Sequence, residues 1–296
     1  MTYNSLIAAK GNAGAIATWV NYTLLDTVTI VDEAQALIWS LLRTREMRAE
    51  FSFSMPIGNS RIALPSRFLD PIGRMYQTSF NIPLRHKDPS FVQQNRNYDE
   101  LSGSLGTDPF TTVSGSDSVN VALTDHGFNQ ESVFNTTGAT AFNGVTLNGT
   151  FPITAIVDTN NFTIDISNLG TTPSASGSGG GAAVDYLCDN LIAGMPNWYA
   201  IWDEAIHFDA AFTQQTLCKL LYYRSPTPLS SSVQTNFVTN RYPQLMRVAC
   251  MASAADFMKD DAEYQKGMAR LQAIVDRVSI ENDMGMRGME LDTITP

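Results

Sequence analysis

The hydrophobic period changes along this chain from helical to strand-like and back, and that change constrains the fold more than any other feature. Near the N-terminus Ala15, Ile16, Trp19, Val20 and Leu24 recur at helical spacing. Ile30, Ala34, Leu37, Ile38, Leu41 and Leu42 make a second stripe, on a helix that Thr27 or Thr29 can cap. Phe51, Phe53 and Met55 then alternate with Ser52 and Ser54, the period of a half-buried strand. Ile62 to Pro65 and Ser79 to Pro83 read as short extended pieces bounded by proline.

From about Thr111 to Ala183 the period is two throughout. Val119, Val121 and Leu123, then Val133-Phe134, Phe151, Ile153, Ile156-Val157, Phe162, Ile164 and Ile166 alternate with polar residues, and Gly127, Gly138, Gly144 and Gly149 punctuate them. Several short strands with regular turns predict a small β-sandwich or barrel. The run Ser174 to Gly181, rich in serine and glycine, reads by composition as a flexible linker closing this module. Beyond it, Trp198 to Trp202, Ile206 to Phe208 and Leu217 to Tyr223 predict a short antiparallel meander. The helical period then returns through Leu245, Val248, Ala249 and Ala252. In a last helix starting near Asp260 or Asp261 it continues as Tyr264, Met268, Leu271, Val275 and Val278. Met284 to Pro296 shows no periodicity and reads as a tail.

The expected fold class is therefore α+β. N-terminal helices and long C-terminal helices form a helical core, with a short β meander and an inserted all-β sandwich or barrel. In domain terms, residues 1–110 and 184–296 make the core, its tail being 282–296, and residues 111–183 make the insert. Charge follows this division. No Lys or Arg occurs from Asn97 to Cys218, a span with thirteen Asp and Glu, whereas the N-terminal third is mildly basic. Either the faces of the protein meet different neighbours or the acidic middle is an acquired insert. A net charge of −10 argues against a general nucleic-acid binder. No apolar run approaches the roughly 18 residues of a membrane span.

No catalytic, cofactor-binding or metal site is predicted. Cys188, Cys218 and Cys250 are widely spaced, form no metal-ligand pattern and read as buried free thiols. His86, His126 and His207 share no ligand spacing with acids or thiols; His126 reads as a turn residue and His207 as a surface or interface side chain. Asp203 and Glu204 are adjacent and read as a solvated hairpin turn, not the facing carboxylate pair a glycosidase needs. Arg43, Arg45 and Arg48 lie at a helix end. They suit either pairing with Glu46 and Glu50 or, in a ring of copies, a positively charged channel or inter-subunit contact.

The order of these elements resembles the head-to-tail adaptors of short-tailed phages, the tail-tubular-A-like group. The carriers are Pro196 to Ile201, Leu220 to Pro226, Pro228-Leu229-Ser230, Asn236, Arg241-Tyr242-Pro243 and the paired helices from Ala252 onward. Shorter matches lie at Trp19 to Asn21, Glu33 to Gln35 and Leu42 to Met47. The segment with Asp125-His126-Gly127 and Gly144 to Phe151 is similar to small β inserts of phage virion proteins.

The resemblance implies a structural virion protein and not an enzyme. Such proteins assemble in the host cytoplasm as a ring, usually of twelve copies, between the portal and the tail nozzle. The ring extends the channel around genomic DNA and helps seat tail fibres. It implies no cofactor and no membrane partner. It also implies portal docking through Tyr264, Met268, Leu271, Val275, Val278, Met284, Met286, Met289, Leu291 and Ile294. Another tail component, a nozzle or fibre-attachment protein, is the alternative, and a glycan-cleaving tail enzyme a more distant one.

Overall fold

The computed structural model describes residues 1–8, 14–21, 25–78 and 82–291, with side chains through residue 282. By internal contacts the chain divides into two compact units. One comprises Met1–Ala49, Ser66–Pro71 and Tyr222–Pro296, the other Glu50–Pro65 and Ile72–Leu221.

The first unit is helical. Its helices are α1 (Tyr3–Ile7), α2 (Ala15–Trp19) and α3 (Thr27–Leu41), then, after a short helix of the second unit, α4 (Pro89–Gln94), α5 (Phe237–Arg241), α6 (Pro243–Phe257) and α7 (Asp261–Leu291). Local chemistry sets their starts. Thr2 with Ser5 and Asn236 with Thr239 form reciprocal capping boxes on α1 and α5, and Pro243 opens α6 where its missing N–H costs nothing. The cap of α3 is Asp26, one residue before Thr27 and three before Thr29, the caps the sequence suggests; its carboxylate accepts the Thr29 N–H at 3.3 Å. The apolar stripes meet in one core of Leu6, Ile16, Ile30, Ile38, Leu245, Ala249, Leu271 and Val275. α6 and α7 approach closely because residue 267 is glycine: a Cβ there would lie 2.9 Å from the Cβ of Ala252. α7 stays helical through Leu291, so most of the expected tail continues the helix, and residues 292–296 lie outside the described residues.

The second unit is built from strands, β1 to β17 in chain order. They are β1 (Arg48–Met55), β2 (Arg61–Ala63), β3 (Phe68–Gln77), β4 (Ile82–His86), β5 (Tyr98–Ser104), β6 (Phe110–Thr112), β7 (Ser118–Ala122), β8 (Val133–Thr137) and β9 (Gly149–Asp158). They continue with β10 (Asn161–Asp165), β11 (Gly177–Gly179), β12 (Asp185–Leu191), β13 (Ala193–Gly194), β14 (Trp198–Trp202), β15 (Ala205–Phe208), β16 (Ala211–Phe212) and β17 (Thr216–Arg224).

One sheet runs β1-β17-β3-β4-β14-β15-β2, a second β11-β6-β7-β10-β9-β8-β12-β5, and β13 pairs with β16. The chain is thus mostly β, and the expectation of a helical core carrying a meander and a small insert is overturned. The three strands read as a meander do not form one. β14 and β15 pair antiparallel, but β14 also pairs parallel to β4, and β17 lies between β1 and β3. These pairings are non-local, and periodicity alone carries no register information.

The eight-stranded sheet contains the strands expected between 118 and 166 and also takes in β5 and β12. Its core is aromatic: Phe134 and Phe162 stand edge to face at 5.1 Å, with Phe110, Phe151, Val121 and Ile164 fully buried around them. The Ser/Gly run is not a linker. Gly177–Gly179 pairs with β6. A Cβ on Gly179 would sit 2.4 Å from the Phe142 ring, and one on Gly180 (φ +115°) 2.5 Å from the Phe110 ring. The glycines are there because aromatic rings lie against bare backbone.

Candidate functional site

The most constrained polar cluster of the second unit joins a loop before β8 to the β15 end of the seven-stranded sheet. Glu131 sits at φ +65°, a left-handed conformation that aims its side chain back from the loop. Its Oε2 accepts from Arg96 Nη2 at 2.5 Å and from Ser60 Oγ at 2.9 Å, and its Oε1 bonds to His207 Nδ1. The Arg96 side chain is 6% exposed, His207 3% and Glu131 14%. Arg96 also donates through Nε and Nη2 to the Phe208 carbonyl, at 3.2 and 3.0 Å. The Trp202 ring stacks on His207 with centroids 3.6 Å apart and lies beneath the Arg96 guanidinium.

Neighbouring residues extend the network. Gln130 Oε1 accepts the N–H groups of Ser60 and Arg61 at 3.2 and 3.0 Å, and its amide donates to the Thr154 carbonyl. Asn190 Oδ1 accepts from the Asn129 backbone N–H and the Ser132 hydroxyl, the Asn129 amide donates to the Leu191 carbonyl, and Ser132 Oγ accepts the Leu191 N–H. Burial pulls the Glu131 carboxyl upward. The His207 hydrogen bond, the Arg96 charge, the His207 charge and the Ser60 hydroxyl outweigh it, so its pKa falls below the ordinary glutamate value. A carboxylate held ionised, buried and fully bonded is a poor acid–base catalyst and a good clamp.

His207, expected to be a surface or interface side chain, is thus buried in this cluster, because strand β15 is covered on both faces. His126 is also buried, its Nε2 facing the Asp158 carbonyl and its Nδ1 accepting the Phe128 N–H. An open groove of about 590 Å³ passes His126, Asp158, Ile57 and Val157. Its carboxylate is already engaged by Asn160 and Asn161. Asp203 and Glu204 form the exposed two-residue turn between β14 and β15, both at positive φ. Among the described residues no group of three His, Cys, Asp or Glu is placed to hold a metal. The three cysteines are buried, and burial raises each thiol to about 12. No described helix is long and apolar enough to cross a membrane.

The three arginines singled out in the sequence lie in the first unit. Arg43 pairs with Asp70 at 2.5 Å and donates to the Trp39 and Leu42 carbonyls. Arg45 lies 3.4 Å from Glu46, which also pairs with Arg241. Arg48 is exposed at the start of β1. On α7, Leu271, Val275 and Val278 are buried in the unit's own core, Met268 packs against it and Tyr264 is half-buried. The side chains of Met284, Met286, Met289 and Leu291, and all of Ile294, lie outside the described residues.

Residues 140–290, just over half of the chain, match the SU10 adaptor protein family. The chain belongs to the SU10 adaptor family. It is accordingly a phage adaptor-type structural protein, a virion component that contacts other head or tail proteins. The family match spans β9 to α7 and starts inside the segment 111–183. No curated protein matches the chain. Among solved structures a phage phi92 endosialidase is similar at 12% identity and a TM-score of 0.26. That likeness covers 54% of this chain and 20% of the endosialidase, and it is too slight to bear on fold or activity. Sequence reasoning missed Arg96, Glu131, Gln130 and Ser60, because nothing local to any of them signals a partner some 35 to 76 positions away.

Proposed function

We propose that this adaptor forms a ring, of twelve copies by its resemblance to the tail-tubular-A-like group, that joins the portal to the tail nozzle and continues the DNA channel. The observation that carries this reading is the family match over residues 140–290, which takes in both long C-terminal helices. Portal docking is assigned to the C-terminal end, Met284 to Ile294. The stripe Leu271, Val275 and Val278 holds α7 on its own unit, so that the end of the helix is presented from a fixed base. Arg43 is engaged with Asp70, which favours a structural role for it over a channel lining.

The test is native mass spectrometry of the purified chain, alone and with a portal ring. A portal-bound assembly of about twelve copies that is lost on deletion of residues 283–296 is the expected result. A chain that ignores portal, or binds it equally without those residues, overturns the reading.

A further inference from the structure

Two like-charge pairs of opposite sign stand on exposed strands of the second unit. The β3–β4 ladder runs from Gln77–Ile82 to Met75–Leu84, and Arg74 and Arg85 are the next residues of the two strands beyond its end. In the β5–β12 ladder Glu100 is directly opposite Asp189. All four are exposed, and none has an ion pair among the described residues. Like charges facing each other across a strand pair are unfavourable in an isolated sheet.

Each pair is flanked by exposed apolar side chains. Tyr76, Leu217 and Leu221 are 43–49% exposed on β3 and β17; Val133 and Leu187 are 37% and 41% exposed on β8 and β12, whose register puts them on the Glu100–Asp189 face. β5 is an edge strand with every residue exposed, the kind of edge that free proteins usually cover.

We infer that the occupant of each surface is a second copy of this chain: the Arg74–Arg85 pair of one copy seats on the Glu100–Asp189 pair of the next. Charge complementarity carries the assignment, since each pair relieves the other's repulsion, and the apolar flanks supply burial. The contact joins different patches on the two copies, so it is heterologous and propagates into a ring or a filament. This deepens the ring reading and rests on it.

The experiment is cysteine cross-linking of the full chain with a short bismaleimide, at low salt, in solution and in virions. The native thiols are buried, so Tyr76→Cys/Leu187→Cys, on the exposed flanks of the two charge pairs, supplies the reactive pair and leaves all four charges in place. The expected result is a ladder extending beyond dimers, absent from either single variant and reduced about tenfold by raised salt. Adding Arg74→Glu abolishes the ladder, and adding Glu100→Lys to that chain restores it. No ladder, a ladder indifferent to Arg74→Glu, or one equalled by a control pair at Ser178→Cys/Ser232→Cys overturns the contact. Absence of the ladder while the chain is present in the virion neck rejects this contact alone; absence of the chain from the neck rejects the adaptor reading.

Discussion

Arg96 and Glu131 form a buried ion pair 2.5 Å long between the loop that follows α4 and the loop that precedes β8. Such a pair is costly to break, because removing one partner strands the other's charge away from water. Glu131→Ala is expected to destabilise the second unit by about 3–5 kcal/mol. Replacing both partners with apolar residues of similar volume should cost much less. Urea denaturation followed by Trp fluorescence compares them; equal losses in the two variants would show that the charge itself is not the issue.

The same pair sets a pH dependence. The folded pKa of Glu131 lies below its unfolded value, so the stability it contributes is full above about pH 4.5. It drains away as pH falls through the lower folded pKa. Asp209 acts in the opposite sense. Burial raises its carboxyl against the Trp198 and Asn197 N–H bonds, so its protonation at low pH favours the fold. The stability difference between the parent chain and Glu131→Gln isolates the first effect. It should be constant near neutral pH and shrink steadily on acidification below pH 4.5. A difference flat down to pH 3 contradicts the linkage.

Gly179 and Gly180 should not tolerate side chains. Alanine at 179 would meet the Phe142 ring, and at 180 the Phe110 ring, at a φ that L residues avoid. Each substitution is expected to cost roughly 1–3 kcal/mol by overpacking, whereas alanine in a flexible linker would be neutral. Thermal melts decide.

Gly267 gives a sharper sign test. Alanine in a helix interior ordinarily gains about 1 kcal/mol over glycine. Here a Cβ would press on Ala252 across the α6–α7 crossing. Gly267→Ala is expected to lower the melting temperature of the helical unit, and Gly267→Leu to lower it further. A rise with alanine would mean that the helices can part without cost.

Leu271 is fully buried in the helical core. Leu271→Ala is expected to destabilise the isolated chain by about 2–5 kcal/mol, measured by denaturation without any partner. If the stripe were reserved for the portal instead, the isolated chain would barely notice the change and only portal binding would suffer.

The local elements follow from periodicity. Period 3.6 placed α3, α6 and most of α7, period 2 placed β7 to β10, and the absence of ligand spacing left the cysteines as plain core residues. These features are legible because each depends on neighbours a few positions away. The order of motifs also pointed to a phage adaptor. Long-range packing settled the rest. It turned a Ser/Gly run into a strand because two phenylalanine rings need bare backbone beside them. It drew β5 and β12 into the acidic sheet and moved β17 away from β15. It buried His207 against a glutamate 76 positions away. It also fixed the register that sets Glu100 against Asp189. Strand partners and buried ion pairs are chosen by the closure of long loops and the shared desolvation of distant groups, and no local pattern of residues encodes either.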